Sequence, residues 1–406
     1  MTDLHRRHTP NRLDDIECVT GQLALCLAEH GASSEDAQAA IRKFGQILSA
    51  APLRVERLFV SVQPLHPDFR ARTYLWLAKD GRVRVIEWPH GLKNRQGYRS
   101  SPDHHVHTTG TELHVPDLQN TPPSRCNLYD ELRLDGFTDY LIIPLRFSGG
   151  TINTLSIATR QSGGFSKGSL VAFRRLADLL AALLERFVAI ENLDTALRTY
   201  LGRHAGSQVM RGEIRLGEGQ LVEAVVLFAD LHDFSSLSAQ LKPAETVSLL
   251  NSYFDCLVAP IEENGGHILK FVGDAVLAFF PVNLAGTPEP RPQEAIAAIS
   301  QRLNMLNSAR REAGEKALKH GLCLHFGEVL YGNIGSSERL DFTIIGDAVN
   351  VAARCLEETH AFGIEYLATE AFVTRFSPEN SSPIGTRKLK GIASPVSLHE
   401  LCPNST

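Results

Sequence analysis

The chain has 406 residues, a formal net charge of -5, and 43% hydrophobic against 21% charged residues. This is the make-up of a soluble globular protein of two or three domains, with no basic surplus to suggest a nucleic-acid partner. No apolar run approaches the ~20 residues of a membrane span, and "MTDLHRRHTPNRLDDIE" lacks the apolar core of a secretory signal. The cysteines at 18, 26, 126, 256, 323, 355 and 402 show no CxxC spacing. They predict neither a disulfide framework nor a zinc site, and a cytoplasmic location is expected.

Residues 1–34 read as a helical extension, and "HGASSED" offers Ser33 or Ser34 as the cap of a second helix. From about Val55 the apolar period shortens to two. "RLFVSVQ", "RTYLWLAKDGRVRVIEW" and "DYLIIPLRFSGGTINTLSIAT" alternate like strands, with Asp80-Gly81 and Ser148-Gly149-Gly150 as turns. An antiparallel sheet flanked by helices is predicted for residues 35–170. Its element order resembles the GAF-like sensory fold, which implies a small-molecule or protein signal whose identity the residues do not disclose. Tyr74, Trp76 and Trp88 read as sheet core or as a pocket lining, and the histidines of "DHHVHTTG" (103–110) as a solvated loop or a metal site.

In residues 171–201, Phe173, Leu176, Leu180, Leu183, Phe187 and Ile190 recur at alternating spacings of three and four. This spacing predicts a coiled-coil stalk, most simply a parallel dimer, or else an amphipathic helix lying on its own domain. The next seam position falls on Asp194, and Leu193 and Leu197 continue in a shifted register. Residues 202–220 are polar and turn-rich, and are expected to be a connector. Over residues 221–402 strands and helices alternate, an α/β pattern with both sheet faces covered.

Within this second segment "AVVLFADLHDFS" is a buried strand ending in Asp230, a position where α/β folds place ligands and metals. Forty-four residues on, "ILKFVGDAVLAFF" sets Lys270 and Asp274 inside an apolar run, around Gly273. Two such aspartates could hold Mg²⁺ or Mn²⁺, hard cations that favour oxygen ligands. They also read as ordinary turn residues, with Lys270 snorkelling. In "RLDFTIIGDAVNVAARCLE" a strand, a Gly-Asp turn and a helix follow one another. Asn350 and Arg354, four apart, share one helix face. Arg354 could stabilise growing phosphoryl charge or make a surface ion pair, and Asn350 could orient a substrate or serve as a cap.

Taken together, "FADLHDFS", "ENGGHILKFVGDAVLAFF", "HFGEVLYGNIG" and "DFTIIGDAVNVAAR" resemble the catalytic domain of the class III nucleotide cyclases over residues 220–402. The resemblance implies a ferredoxin-like α+β domain in which Asp230 and Asp274 bind two divalent metals, Mg²⁺ or Mn²⁺. It further implies that Lys270 and Thr343 read the base, and that Asn350 and Arg354 stabilise the transition state. Lys390 would touch the triphosphate. A lysine at position 270 matches a ring acceptor of adenine, so ATP is the expected substrate and 3′,5′-cyclic AMP the product. Guanylate cyclase activity or an inactive nucleotide-binding module are the alternatives. Glu328 departs from relatives that carry Arg near the phosphates. Each site would be shared across a homodimer that joins through the coiled coil and the catalytic domains.

Overall fold

The structure, a computed structural model, describes residues 20–21, 24–25, 29, 36–91, 94–121, 127–284, 287 and 289–403. The expected helical extension over 1–34 lies almost wholly outside these residues. The chain divides into two units, Met1–Ala196 and Leu197–Thr406.

The first unit is a six-stranded antiparallel sheet in the order β3-β2-β1-β6-β5-β4. Its central strands are β1 (Arg57–Val62), β2 (Phe69–Leu77), β5 (Asp139–Arg146) and β6 (Ile152–Thr159). The edges are β3 (Val83–Pro89) and β4 (Leu113–Val115). Alternation along β1 sends Leu58, Val60 and Val62 into the main core. Helix α1 (Ala37–Ala50) packs there, capped by Asp36, whose Oδ1 accepts from Ala39 N at 2.7 Å. Tyr74 and Trp76 belong to this core, and Gly45 leaves room for the Trp76 ring, which any Cβ would strike. Trp88 instead faces a cavity on the opposite side of the sheet, its Nε1 donating to Thr73 Oγ1 at 3.1 Å. Two helices roof that cavity, α2 (Gln96–Arg99) and α3 (Pro102–Thr109). The histidines expected in a loop therefore stand on a helix, capped by Ser101.

The predicted stalk is one continuous helix, α5 (Lys167–Leu201); a shorter helix, α4 (Asn127–Leu134), precedes it. Its seam is not free for a partner over most of its length. Phe173, Leu176 and Leu180 are buried in the unit's own core, with Leu183 and Phe187 packed against it. This corrects the coiled-coil expectation for that stretch. An antiparallel sheet must cover its apolar face, and the adjoining helix does so without the entropic cost of association. Ser148, Arg72 and the Leu65 N–H hold the helix through Glu185, Glu191 and Asn192. Only beyond Val188 do Ile190 and Leu193 lie exposed.

After the last residues of α5 the second unit continues with α6 (Arg203–Met210), a short helix within the stretch expected to be a connector. Its sheet runs β13-β14-β12-β10-β7-β9-β8, with β11 paired to β10. The strands are β7 (Gly219–Leu231), β8 (His267–Val272), β9 (Ala275–Val282), β10 (His320–Gly335), β11 (Leu340–Ile345), β12 (Tyr366–Thr369), β13 (Ser381–Arg387) and β14 (Val396–Leu401). Among the described residues only β10 and β12 pair in parallel, so the unit is α+β rather than a parallel α/β sheet. A short α7 (Phe234–Ser238) follows β7. Helices α8 (Pro243–Glu263) and α9 (Pro292–Glu312) pack on one face through Leu249, Tyr253, Leu257, Ile296 and Ile299. On the other face α10 (Asp347–Phe362) packs through Ala348 and Ala352. A last short helix, α11 (Glu370–Phe376), follows β12. No described helix is long and apolar enough to cross a membrane.

Candidate active site

Antiparallel register makes neighbours of Asp230 and Asp274. Ala229 pairs with Val276 between β7 and β9, so continuing the ladder two steps sets Leu231 opposite Asp274. Asp274 is the second residue of a two-residue hairpin loop whose first, Gly273, takes φ +64°, a value that favours glycine. There Asp274 Oδ2 accepts the Leu231 N–H at 3.2 Å. Burial pushes the Asp230 carboxyl above the usual carboxylate range; His360 opposes the shift and the nearby Asp274 adds to it. Asp230 Oδ1 is buried and accepts no hydrogen bond, although His360 Nε2 stands 3.4 Å away. Two convergent carboxylates, one with an orphaned oxygen, suit a hard divalent cation.

Lys270 and Thr343 meet in a separate pocket of about 500 Å³. Its wall also includes Phe271, Asp341 and the end of α5 from Arg198 to Leu201. Thr343 pairs with Gly332 across β10 and β11, and its hydroxyl is buried without a partner among the described residues. Such an orphan is costly unless a ligand or water satisfies it. Lys270 Nζ lies 3.5 Å from Asp341 Oδ2.

Asn350 and Arg354 project from the first two turns of α10, but they join neither group in this chain. Asn350 is exposed and Arg354 pairs with Glu357. Lys390 is exposed in the turn after β13, with no hydrogen bond or ion pair among the described residues. Glu328 faces Glu223 across the β10–β7 ladder, which sets two acidic side chains side by side.

Residues 218–370 match the family model described as the adenylate and guanylate cyclase catalytic domain. The second unit therefore carries a class III cyclase catalytic domain. Adenylate cyclase 1 of Rhizobium meliloti (strain 1021) is 32% identical over 181 residues, covering 44% of this chain and 27% of its own. The adenylate cyclase of Anabaena cylindrica is 32% identical over 196 residues, covering 46% and 38% respectively. Thus the chain spans roughly a quarter to two fifths of the length of these relatives. A solved bacterial light-regulated adenylyl cyclase is 29% identical, covering 45% of this chain and 92% of that one, with a TM-score of 0.39.

Beside its two aspartates this cyclase domain holds two side chains that sequence reasoning passed over, His232 and His360. Their rings are 3.8 Å apart between centroids, and His232 Nε2 lies 3.3 Å from Thr359 Oγ1. Burial, reinforced by His360, lowers the His232 pKa to about 4. His232 was visible in "FADLHDFS", but nothing in the pattern ties it to a residue 128 positions away. Asp341, the partner of Lys270, was likewise unmarked.

Proposed function

We propose that the chain converts ATP to 3′,5′-cyclic AMP and pyrophosphate, at sites shared between two copies. The observation that carries this reading is the division of the site. Asp230 and Asp274 converge at one place, while Lys270 and the orphaned Thr343 hydroxyl converge in a pocket elsewhere on the same unit.

In this reading the 3′-oxygen of the ribose attacks the α-phosphorus, and the bond from that phosphorus to its β-bridging oxygen breaks. Pyrophosphate leaves, and the 3′-hydroxyl proton passes to solvent. Asp230 and Asp274 would hold two divalent ions, Mg²⁺ or Mn²⁺, whose charge offsets the triphosphate and acidifies the 3′-hydroxyl. Domains of this class use divalent metals, and the donor set here fits them. Lys270 donates to a ring acceptor of adenine, and Thr343 supplies the second polar contact to the base. From the partner's helix, Asn350 orients the ribose and Arg354 meets the charge growing on the α-phosphoryl group. Lys390 reaches the triphosphate. The exposed apolar side chains of Phe271, Val272 and Ile345 suit a face covered by a second copy.

The first unit serves as the regulatory, GAF-like sensory domain. Its cavity of about 360 Å³, lined by Phe59, Thr73, Trp88, Tyr98, Asp103 and His107, has the size and mixed polarity of a small-molecule site. Incubating the purified chain with ATP or GTP and Mn²⁺, then identifying the cyclic product by mass spectrometry, tests the reading. Cyclic AMP is the expected product. Cyclic GMP alone would overturn the base assignment, and no cyclic product would leave a nucleotide-binding module.

A further inference from the structure

From the geometry around Asp230 we propose a second, distinct use of that carboxylate: Asp230, His232 and His360 form a binding site for a borderline divalent cation such as Zn²⁺. One donor atom from each of the three side chains lies within 4.8 Å of the others, the only such His/Cys/Asp/Glu group among the described residues. Tetrahedral Zn²⁺ at about 2.0–2.1 Å from its ligands sets donors about 3.3–3.4 Å apart. The His360 Nε2 to Asp230 Oδ1 separation, 3.4 Å, already has that value. Closing the remaining edges needs shifts of about an ångström, within reach of side-chain torsions.

The surroundings favour nitrogen ligation. Thr359 Oγ1 donates to Leu356 O at 2.7 Å, so it is the acceptor toward His232 Nε2 at 3.3 Å. That bond assigns the proton to Nε2 and leaves the Nδ1 lone pair for a ligand, the usual support given to a metal-bound imidazole. Gly321 makes the approach possible, since a Cβ there would collide with Thr359 Oγ1 and come within 2.7 Å of His232 Nε2. His360, on the last turn of α10, remains exposed, which gives a cation an entry path. Two imidazoles and one carboxylate select Zn²⁺ or Co²⁺ over Mg²⁺, which prefers an all-oxygen shell.

Such a cation takes Asp230 away from the substrate's metals, so it inhibits cyclisation. This consequence rests on the proposed cyclase reading; the binding site does not. The test uses the full chain without an affinity tag, titrated with Co²⁺ by visible absorption and with Zn²⁺ by calorimetry. One equivalent of tetrahedral Co²⁺, displaced by Zn²⁺, is expected. His232→Gln and His360→Gln should each weaken it at least tenfold, while His105→Gln should not. Even losing an outer-shell partner costs about 10–100-fold in affinity. Circular dichroism and thermal melts verify folding, and His360→Gln decides alone if the His232 variant misfolds. Absence of Co²⁺ binding, or unchanged binding in folded His360→Gln, overturns the site. In the activity arm, half-inhibition by Zn²⁺ should need at least tenfold more cation in His360→Gln. If that value does not move although the Co²⁺ site is lost, the inhibitory role is overturned. A chain that makes no cyclic nucleotide would fail the cyclase reading and leave the metal titration to decide the site.

Discussion

Lys270 Nζ stands 3.5 Å from Asp341 Oδ2, on the wall of the pocket that also holds the buried, unpartnered hydroxyl of Thr343. Both charged side chains are more than a third exposed, so their pairing adds little to stability. On the proposed reading its use would be orientation, with Asp341 steering a flexible four-carbon stem toward the pocket. Lys270→Glu should lower kcat/KM for ATP about 10–100-fold, since an unmatched buried polar contact costs about 1–3 kcal/mol. Asp341→Asn should raise KM for ATP severalfold and leave kcat nearly unchanged. Steady-state kinetics with ATP and GTP distinguish the two, and an unaltered ATP preference in Lys270→Glu would remove Lys270 as base reader.

Asp230→Ala and Asp274→Ala should each reduce product formation at least a hundredfold and leave the oligomeric state unchanged by size-exclusion chromatography. On the proposed reading, existing and developing phosphate charge would depend on cations held by these carboxylates. A separate thermodynamic signature belongs to Asp230. Burial disfavours its charged form, so Asp230→Asn should melt higher than the parent chain in metal-free buffer and lose the parent's stabilisation by Mn²⁺. Turnover near the parent's in either alanine variant would end the two-metal assignment.

Much of this site was legible because its residues sit at strand ends and tight turns, where local pattern and register coincide. The apolar run before Asp230 and the Gly273-Asp274 loop mark two hairpin-competent strands, and antiparallel register then brings 44 residues of separation to one ladder step. Other features depended on contacts that no local pattern encodes. The Phe173–Leu180 seam has the same spacing whether it meets a second helix or its own sheet, and the sheet took it. Strand direction was also hidden, because helices separate antiparallel strands here as readily as parallel ones. The His232–His360 contact joins a turn to a helix C-terminus, with no periodicity to announce it.

Acid should destabilise the second unit through two histidines of β10. His320 is 3% exposed, neither ring nitrogen has a partner, and burial lowers its pKa to about 3. His325, bonded through Nδ1 to Thr369 Oγ1 at 2.8 Å, is lowered by burial to about 4. Unfolded, both titrate near 6.5. Between these values the unfolded state binds more protons, so stability is full above about pH 6.5 and falls as pH drops toward 3–4. His320→Phe, placed between Tyr253 and Tyr366, should flatten the decline by about 1 kcal/mol per pH unit below 6.5. Urea melts at pH 7.5 and pH 5.5 measure it, and an equal pH slope in parent and variant would contradict the assignment.

Complementation between two inactive chains distinguishes a site built within one copy from the proposed site shared between two. Lys270 stands on β8, whereas Asp274 lies in the two-residue turn that reverses the chain into β9. Their environments differ accordingly, since Lys270 meets Asp341 and Thr343 while Asp274 meets the end of β7. Arg354, on α10, pairs only with Glu357 among the described residues. If sites are shared, a chain carrying Asp274→Ala and a chain carrying Arg354→Ala should each be inactive alone. In a mixed dimer of closed two-fold symmetry, one site receives both lesions and the other receives neither. Activity should return on mixing, up to half of the parent value per heterodimer by this site count. Subunit exchange must be followed independently, for instance by energy transfer between labelled chains. Exchange with persistent silence would show that each copy builds its site alone, and Asn350 and Arg354 would then need another role.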